Sequence, residues 1–402
     1  MIHHQLGYPI VEIFEGKVRL ILPEVSLKSS IPPKTPVFYN PAMARSRDIG
    51  VLFIRVCEDL PGGGLSVCDA LAGSGVRGLR YLIETSRVGH LVSNDISREA
   101  VKLISVNVDV NGVSDRVTIE NRDANSLLAD YASRGERFHI VDIDPFGSPA
   151  NYIGNAIMAV RGRGILAATA TDTAPLSGVY PKTCLRRYGA ISIKTEFYHE
   201  VGLRILVGYI ARIGLTYDLG VDNLLAYREL HYFRCYVRVE PGVRRAEKTL
   251  DNIGFITYCN TCMYRRSIPL VDAALRSSPS LTVCPLCSSN LNFIGPLWIG
   301  RLASPSLCRS MVEEIERTVV TDRDHITRLL SYLEYEASMP PTYYTLDRIA
   351  SKLRVETPSF EKIRDIIIGE GYRFSRTHFD PKGFKTDMDP ITLLELLRRH
   401  LE

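Results

Sequence analysis

Between residue 65 and about residue 163 the chain alternates between two hydrophobic periods. Short apolar runs recur at 65–70, 91–94, 116–120, 139–142 and 164–168, each closed by polar or glycine-rich residues. Between them, stretches such as 77–86 and 98–111 carry apolar residues at helical spacing. This alternation predicts parallel β-α-β units and a doubly wound sheet. A further helix is predicted over 203–214. Residues 215–240 hold two runs rich in Val, Tyr and Leu, which predict a closing antiparallel pair, and the pattern breaks at Pro241-Gly242.

The two flanks read differently. Residues 1–64 suggest an extension of short strands and loops, punctuated by Pro23, the Ile31-Pro32-Pro33 stretch, Pro36 and Pro41, and ended by Gly62-Gly63-Gly64. Past residue 241, residues 255–298 contain two CxxC pairs. Ile326, Leu329, Leu330 and Leu333, and then Leu346, Ile349, Ala350 and Leu353, repeat at i, i+3, i+4, i+7 and predict two helices. A third is predicted over 360–370, followed by an alternating stretch, 372–385, that turns at Asp380-Pro381-Lys382-Gly383. Three helices and a hairpin are the outline of a winged helix.

Composition narrows the class. The 402 residues are enough for two or three domains. At 45% hydrophobic and 23% charged, the chain is neither collagen-like, disordered nor a membrane protein. No apolar run reaches the ~20 residues of a membrane helix. The start, Met1-Ile2-His3-His4-Gln5-Leu6, lacks the basic and apolar regions of a signal peptide, so a cytoplasmic address is expected. Net charge is +4, with 11 lysines against 38 arginines. Arginine forks bind phosphate bidentately and stack on bases. Codon bias in a GC-rich genome gives the same count, so charge permits a nucleic-acid partner without requiring one.

Nine cysteines divide into two groups. Cys57, Cys68, Cys184, Cys235 and Cys308 stand singly and read as small buried hydrophobes. Cys259, Cys262, Cys284 and Cys287 form the CxxC pairs, separated by 21 residues. Four thiolates on two tight turns suit a closed, tetrahedral, structural zinc site. Reduced thiols, or disulfides in a heat-adapted organism, are the alternatives. Tyr258, Arg265 and Arg266 beside the first pair suit either RNA backbone contact or a solvated surface.

The chemistry concentrates at strand ends. Asp69-Ala70-Leu71-Ala72-Gly73-Ser74-Gly75-Val76-Arg77-Gly78 places GxGxxG between a strand and a helix, where Gly73 and Gly75 let backbone approach a nucleotide closely. Asp95, 22 residues after Gly73, is placed to accept hydrogen bonds from a ribose diol; capping the helix from Arg98 is the plainer reading. Asp123-Ala124, after the third strand, would flank an adenine. At the fourth strand end stands Asp144-Pro145-Phe146-Gly147-Ser148-Pro149. A carboxylate, a proline carbonyl and an aromatic ring suit methylation of an exocyclic amine, whose lone pair is delocalised into the base. Asp144 would accept the amine N–H and later its proton, while Phe146 stacks on the base. The plainer reading of Asp144-Pro145 is a strand-end turn. Thr171-Asp172-Thr173 falls near the same cleft, to read a base edge or to cap the next segment.

These residues resemble the tRNA (guanine-26) N2-dimethyltransferases, especially archaeal members. The resemblance runs over most of the chain. It includes Glu15-Gly16-Lys17, Phe38-Tyr39-Asn40-Pro41, Arg45-Ser46-Arg47-Asp48, Tyr180-Pro181, Arg187-Tyr188-Gly189, His199-Glu200 and Ser375-Arg376-Thr377-His378-Phe379-Asp380. Ala42 stands where relatives often carry Arg. The resemblance implies S-adenosyl-L-methionine as donor, two methylations of one guanine amine, and Asp144 as the catalytic carboxylate. It implies donor contacts from Arg47, Arg77, Asp95, Asp123 and Ala124, the two arginines meeting the donor carboxylate.

The expectation is therefore an α/β protein with two parts. Residues 1–243 form a Rossmann-like methyltransferase domain, and 244–402 a smaller α+β tRNA-binding domain with the zinc site and a winged-helix-like segment. Arg348, Lys352, Arg354, Lys362, Arg364, Arg373 and Arg376 decorate the latter. No obligate protein partner is inferred. The rival reading is a zinc-containing winged-helix regulator of nucleic acid, which has no need of Asp144-Pro145-Phe146; a methyltransferase for another RNA or DNA shares the chemistry.

Overall fold

The computed structural model describes residues 6–27, 35, 37–275 and 282–401. The chain start 1–5, the Ile31-Pro32-Pro33 stretch and Pro36 lie outside them. A two-stranded ribbon, β1 (Ile10–Glu15) and β2 (Val18–Pro23), leads to helix α1 (Ala44–Val56). A seven-stranded sheet follows, from β3 (Leu65–Asp69), β4 (Val88–Asn94), β5 (Val117–Glu120), β6 (Phe138–Ile143), β7 (Val160–Ala170), β8 (Leu219–Glu229) and β9 (Tyr232–Pro241). Its order is β5-β4-β3-β6-β7-β9-β8. The pairs among the first five strands are parallel, and β9 runs antiparallel to both β7 and β8. The sheet is thus doubly wound with an antiparallel closing pair, as the periodicity predicts.

The helices cover both faces. On one lie α2 (Val76–Glu84) and α3 (Arg98–Val110) together with α1. On the other lie α4 (Ala124–Ser133), α5 (Ala150–Ala159) and α8 (Tyr198–Leu215), with the short helices α6 (Thr173–Leu176) and α7 (Pro181–Tyr188) at its edge. Strand order reverses between β3 and β6, the switch point where open α/β sheets leave a crevice beyond their strand ends.

Helix α1 departs from the strands and loops expected before residue 64. Ile49, Val51, Leu52, Phe53 and Ile54 are all buried, each contributing about 1.5–3 kcal/mol. Its polar residues hid it, because they too point inward. Arg47 forms a bidentate pair with Glu15, with both distances 2.6 Å, and Asp48 accepts from Arg80 at 2.6 Å.

The remaining chain begins with α9 (Val243–Leu250) and an antiparallel sheet ordered β11-β10-β12, from β10 (Ile253–Tyr258), β11 (Arg265–Pro269) and β12 (Asn292–Trp298), with α10 (Leu270–Leu275) after β11. Helix α8 packs directly on β12. A Cβ on Gly208 would come within 2.7 Å of the Trp298 backbone nitrogen, so glycine alone permits that approach. Helices α11 (Pro305–Glu314) and α12 (Arg323–Glu336) then return to the first half. Cys308, Met311, Leu329 and Leu330 share a core with α1 and α2. Strand β13 (Tyr344–Thr345), helices α13 (Leu346–Leu353) and α14 (Phe360–Gly369), strands β14 (Phe374–Arg376) and β15 (Gly383–Thr386) and helix α15 (Pro390–Leu401) complete the chain. The three strands form a sheet ordered β13-β15-β14. The overall class is mixed α/β with a mainly parallel central sheet. No helix among the described residues is long and apolar enough to cross a membrane. The five single cysteines are buried, as expected.

Candidate active site

Three carboxylates converge at the switch point. Asp69 ends β3 and is paired in register with Asp142 of β6, and Asp144 follows just past the strand. Arg77, in the first turn of α2, reaches between them and donates to Asp144 Oδ2 at 2.5 Å. Asp142 is fully buried. Arg234, projecting from β9 and also buried, donates to both its oxygens at 2.9 and 2.5 Å, and the Tyr81 hydroxyl adds a bond of 2.9 Å. This buried pair fixes the floor on which Asp144 stands.

Environment sets Asp69 and Asp144 apart. Burial, and then the charge of Asp142, push Asp69 up to about 7. Burial also pushes Asp144 up, but Arg77 and then Arg234 outweigh it and hold the group below its ordinary value. Asp144 keeps 24% of its side chain open to solvent. It is an ionised acceptor at a cleft.

The glycine turn supports the same crevice. Gly73 and Gly75 adopt left-handed φ of 55° and 79°. A Cβ on Gly73 would meet the Phe38 carbonyl at 3.4 Å, so the turn presents bare backbone beneath the Phe38 loop. The Gly73 amide donates to Asp95 Oδ2 at 2.9 Å, and Oδ1 accepts from Ser97. Helix α3 is capped by Ser97, not by Asp95. Asp123 caps α4, accepting from the Ser126 amide at 2.9 Å, and Ala124 beside it is buried.

Phe146 is 73% exposed, and its ring meets the Phe38 ring edge-on, with centroids 4.7 Å apart. Phe38 has no role assigned by sequence reasoning; the one available signal is its place in Phe38-Tyr39-Asn40-Pro41. The Phe146 loop is locked from below. The Gly147 amide donates to Thr171 Oγ1 at 2.7 Å, and Asp172 accepts from the Tyr188 hydroxyl at 2.7 Å and from Arg187 at 3.1 Å. Thr171 and Asp172 therefore brace the loop. Phe146, Gly147, Ser148, Asn151, Tyr152 and Arg187 line an open cleft.

The fold thus gathers Asp144, Phe146, Gly73, Gly75, Arg77 and Asp95 at one end of the sheet, with Asp123 and Ala124 at the next strand end. Arg47 stands behind them, nearly buried, holding Glu15 and donating to the Asn40 carbonyl at 3.1 Å. Arg234 and Tyr81 escaped sequence reasoning. An arginine within the apolar run of β9 was the available signal.

The four cysteines come together. Their sulfurs all lie within 4.8 Å of one another, with Cys259–Cys287 at 3.5 Å and Cys262–Cys284 at 3.3 Å. Sulfurs ~2.3 Å from a tetrahedral metal lie roughly 3.8 Å apart, which this spread brackets. The two turns are built alike. Cys259 N–H donates to the Tyr264 carbonyl and Met263 N–H to the Cys259 carbonyl; Cys284, Ser288 and Ser289 repeat the pattern, with Met263 and Ser288 both left-handed. All nine cysteines are free thiols, so the disulfide alternative is not seen.

Two RNA-contact expectations change. Tyr258 is buried and Arg265 nearly so, both bonded to Glu196, so neither faces solvent; Arg266 does. Arg348 and Lys352 donate to the carbonyls of Asn260 and Thr261, holding the first cysteine turn. His199-Glu200 and the 375–380 motif also lie away from the crevice. Glu200 accepts from Lys385 at 2.6 Å and from Arg204 at 2.8 Å, and Glu336 pairs with His378 and Thr377, so these motifs clamp α8, α12 and β15 together.

A family model described as N2,N2-dimethylguanosine tRNA methyltransferase matches residues 16–398. The chain belongs to that family. Among relatives in the family, the tRNA (guanine(26)-N(2))-dimethyltransferase of Methanothermobacter thermautotrophicus is 38% identical over 94% of this chain and 96% of its own length. The tRNA (guanine(26)-N(2)/guanine(27)-N(2))-dimethyltransferase of Aquifex aeolicus is 36% identical over 93% of this chain and 92% of its own. The structure of Trm1 from Pyrococcus horikoshii with S-adenosyl-L-methionine superposes with a TM-score of 0.83 at 34% identity, covering 96% of this chain and 99% of that one.

Proposed function

We propose that the protein transfers two methyl groups from S-adenosyl-L-methionine to the N2 amine of guanine 26 of tRNA, giving N2,N2-dimethylguanosine. The observation that carries this reading is the crevice, where an ionised, partly open Asp144 stands between the bare-backbone glycine turn and the Phe38–Phe146 ring pair. The donor supplies a methyl group on a positively charged sulfur. Gly73 and Gly75 would admit it closely, and Asp95 and Asp123 would hold its ribose and adenine. Arg77, held by Asp144, and Arg47, held by Glu15, would meet its carboxylate.

The remaining work falls to the chain. The target base must leave its stack to reach the crevice. Phe146 and Phe38 offer it an aromatic surface. Asp144 accepts an amine N–H, as does the Pro145 carbonyl, which concentrates the nitrogen lone pair for in-line attack on the methyl carbon. As the N–C bond forms and the C–S bond breaks, the amine proton passes to Asp144. Release of that proton to solvent leaves a monomethylated amine that still carries one N–H for a second round.

The four thiols fit a zinc ion, which would tie two turns of the β10–β12 sheet and leave no open coordination position. Division near residue 243 into a catalytic part and an RNA-handling part, the latter with a winged-helix-like arrangement of α12 to β15, completes the reading. Incubation with labelled donor and unmodified tRNA tests it: N2,N2-dimethylguanosine should appear in the nucleoside digest, and an unlabelled digest would overturn it.

A further inference from the structure

Residues 179–194 carry Lys182, Arg186, Arg187 and Lys194 and no acidic residue. The segment runs from the rim of the cleft, where Arg187 shares the lining with Phe146, to the cysteine-bearing sheet. There the backbones of Ile191 and Gly295 exchange hydrogen bonds of 2.7 and 2.9 Å. Its inner side is anchored by buried Cys184 and Tyr188. Its outer side is unlike an ordinary solvated face. Val179, Tyr180, Leu185 and Ile191 are 43% to 59% exposed, four large apolar side chains interspersed along the segment with the cations. Among the described residues Lys182, Arg186 and Lys194 have no ion-pair partner, and Arg187 alone is paired, with Asp172.

Unneutralised cations interleaved with apolar and aromatic side chains are what a nucleic-acid strand requires of a surface. The charges take phosphates, and ring faces take unstacked bases. A base drawn out of its stack toward Asp144 also strips its neighbours of a stacking partner, and they need a surface beside the cleft. We propose that the 179–194 ridge receives the nucleotides flanking the target guanine, with phosphates on Lys182 and Arg186 and a base face on Tyr180. The strand would then run from the cleft toward the cysteine module. This rests on the tRNA reading above.

The test compares Lys182→Ala/Arg186→Ala, Tyr180→Ala and Tyr180→Phe with wild type, and with Arg163→Ala at the opposite end of β7 as control. Wild-type methylation of tRNA, measured in the same assay, isolates failure of the ridge from failure of the function. The double variant should raise the KM for tRNA about tenfold and lower the slope of log affinity against log salt by about 1.4–1.8, the share of two phosphates. Tyr180→Ala should raise KM about fivefold or more, and Tyr180→Phe should restore it. Donor affinity by calorimetry should not move. Unchanged KM and salt slope in the double variant would overturn the proposal. So would an equal loss in Arg163→Ala. A wild-type dimer broken by Leu185→Ser with tRNA binding intact would instead assign the face to a second copy of the chain.

Discussion

Replacing Asp144 by Asn removes one charge and little else. The Asn carbonyl can still accept from Arg77 where the carboxylate accepts at 2.5 Å, and Asp142 keeps Arg234 and Tyr81. The glycine turn is untouched, so donor affinity should stay within a few-fold of wild type. What is lost is the proton acceptor. A positioned general base contributes about 10²–10⁴ in rate, or about 2.7–5.4 kcal/mol at 1.36 kcal/mol per decade. Single-turnover methyl transfer at saturating donor and tRNA, with donor affinity by calorimetry, reads both quantities. The pH profile adds a sign. Burial raises the Asp144 carboxyl, but Arg77 and Arg234 outweigh it, so the group remains a base until pH falls below the ordinary carboxylate range. No acid limb from Asp144 should appear between pH 5 and 7, and Arg77→Met should move that limb upward. Asp144→Asn turning over within threefold of wild type would refute the assignment.

Other perturbations probe separate parts of the account. Phe146 is exposed, so Phe146→Ala should leave stability within about 0.5 kcal/mol while lowering kcat/KM for tRNA by about 1–3 kcal/mol; urea melts and steady-state kinetics check both. Asp69, held near 7 by burial and Asp142, keeps a proton in the fold that the unfolded chain loses near pH 3.9. Its contribution is present at low pH and lost as pH rises toward 7, so the stability of Asp69→Asn relative to wild type should grow from pH 4 to 7; a constant difference in urea unfolding would contradict this. Removing metal with a chelator should open the β10–β12 sheet to protease while leaving donor affinity unchanged, whereas equal proteolysis with and without chelator would point to free thiols. Lys385→Met leaves buried Glu200 with Arg204 alone among cations and should cost about 3 kcal/mol in unfolding free energy.

Much of this architecture is written in local pattern. The parallel strands and the closing pair β8–β9 follow from short unbroken apolar runs, because the sheet is covered on both faces, and the helices α3 and α13 follow from helical periodicity, because each buries one face and exposes the other. The cysteine site follows from spacing, since two turns of the same design need only be brought together. Helix α1 does not, because Arg47 and Asp48 are buried by Glu15 and Arg80, partners 32 residues away in both cases. Within the site, Asp144 and the glycines announce themselves through strand-end motifs. The support for them does not: Arg234 reaches Asp142 across 92 residues, and Phe38 meets Phe146 from a loop outside the sheet. Sequence patterns register which residues face inward; the partner that makes an inward charge tolerable appears only in three dimensions.

The proposed activity makes one product at one base. The direct measurement is methyl transfer from labelled S-adenosyl-L-methionine to matched tRNA transcripts that differ only at position 26, followed by nucleoside analysis. N2,N2-dimethylguanosine should form on the guanine-26 transcript and vanish when that base is adenine. Label on both transcripts, or on neither, would contradict the account.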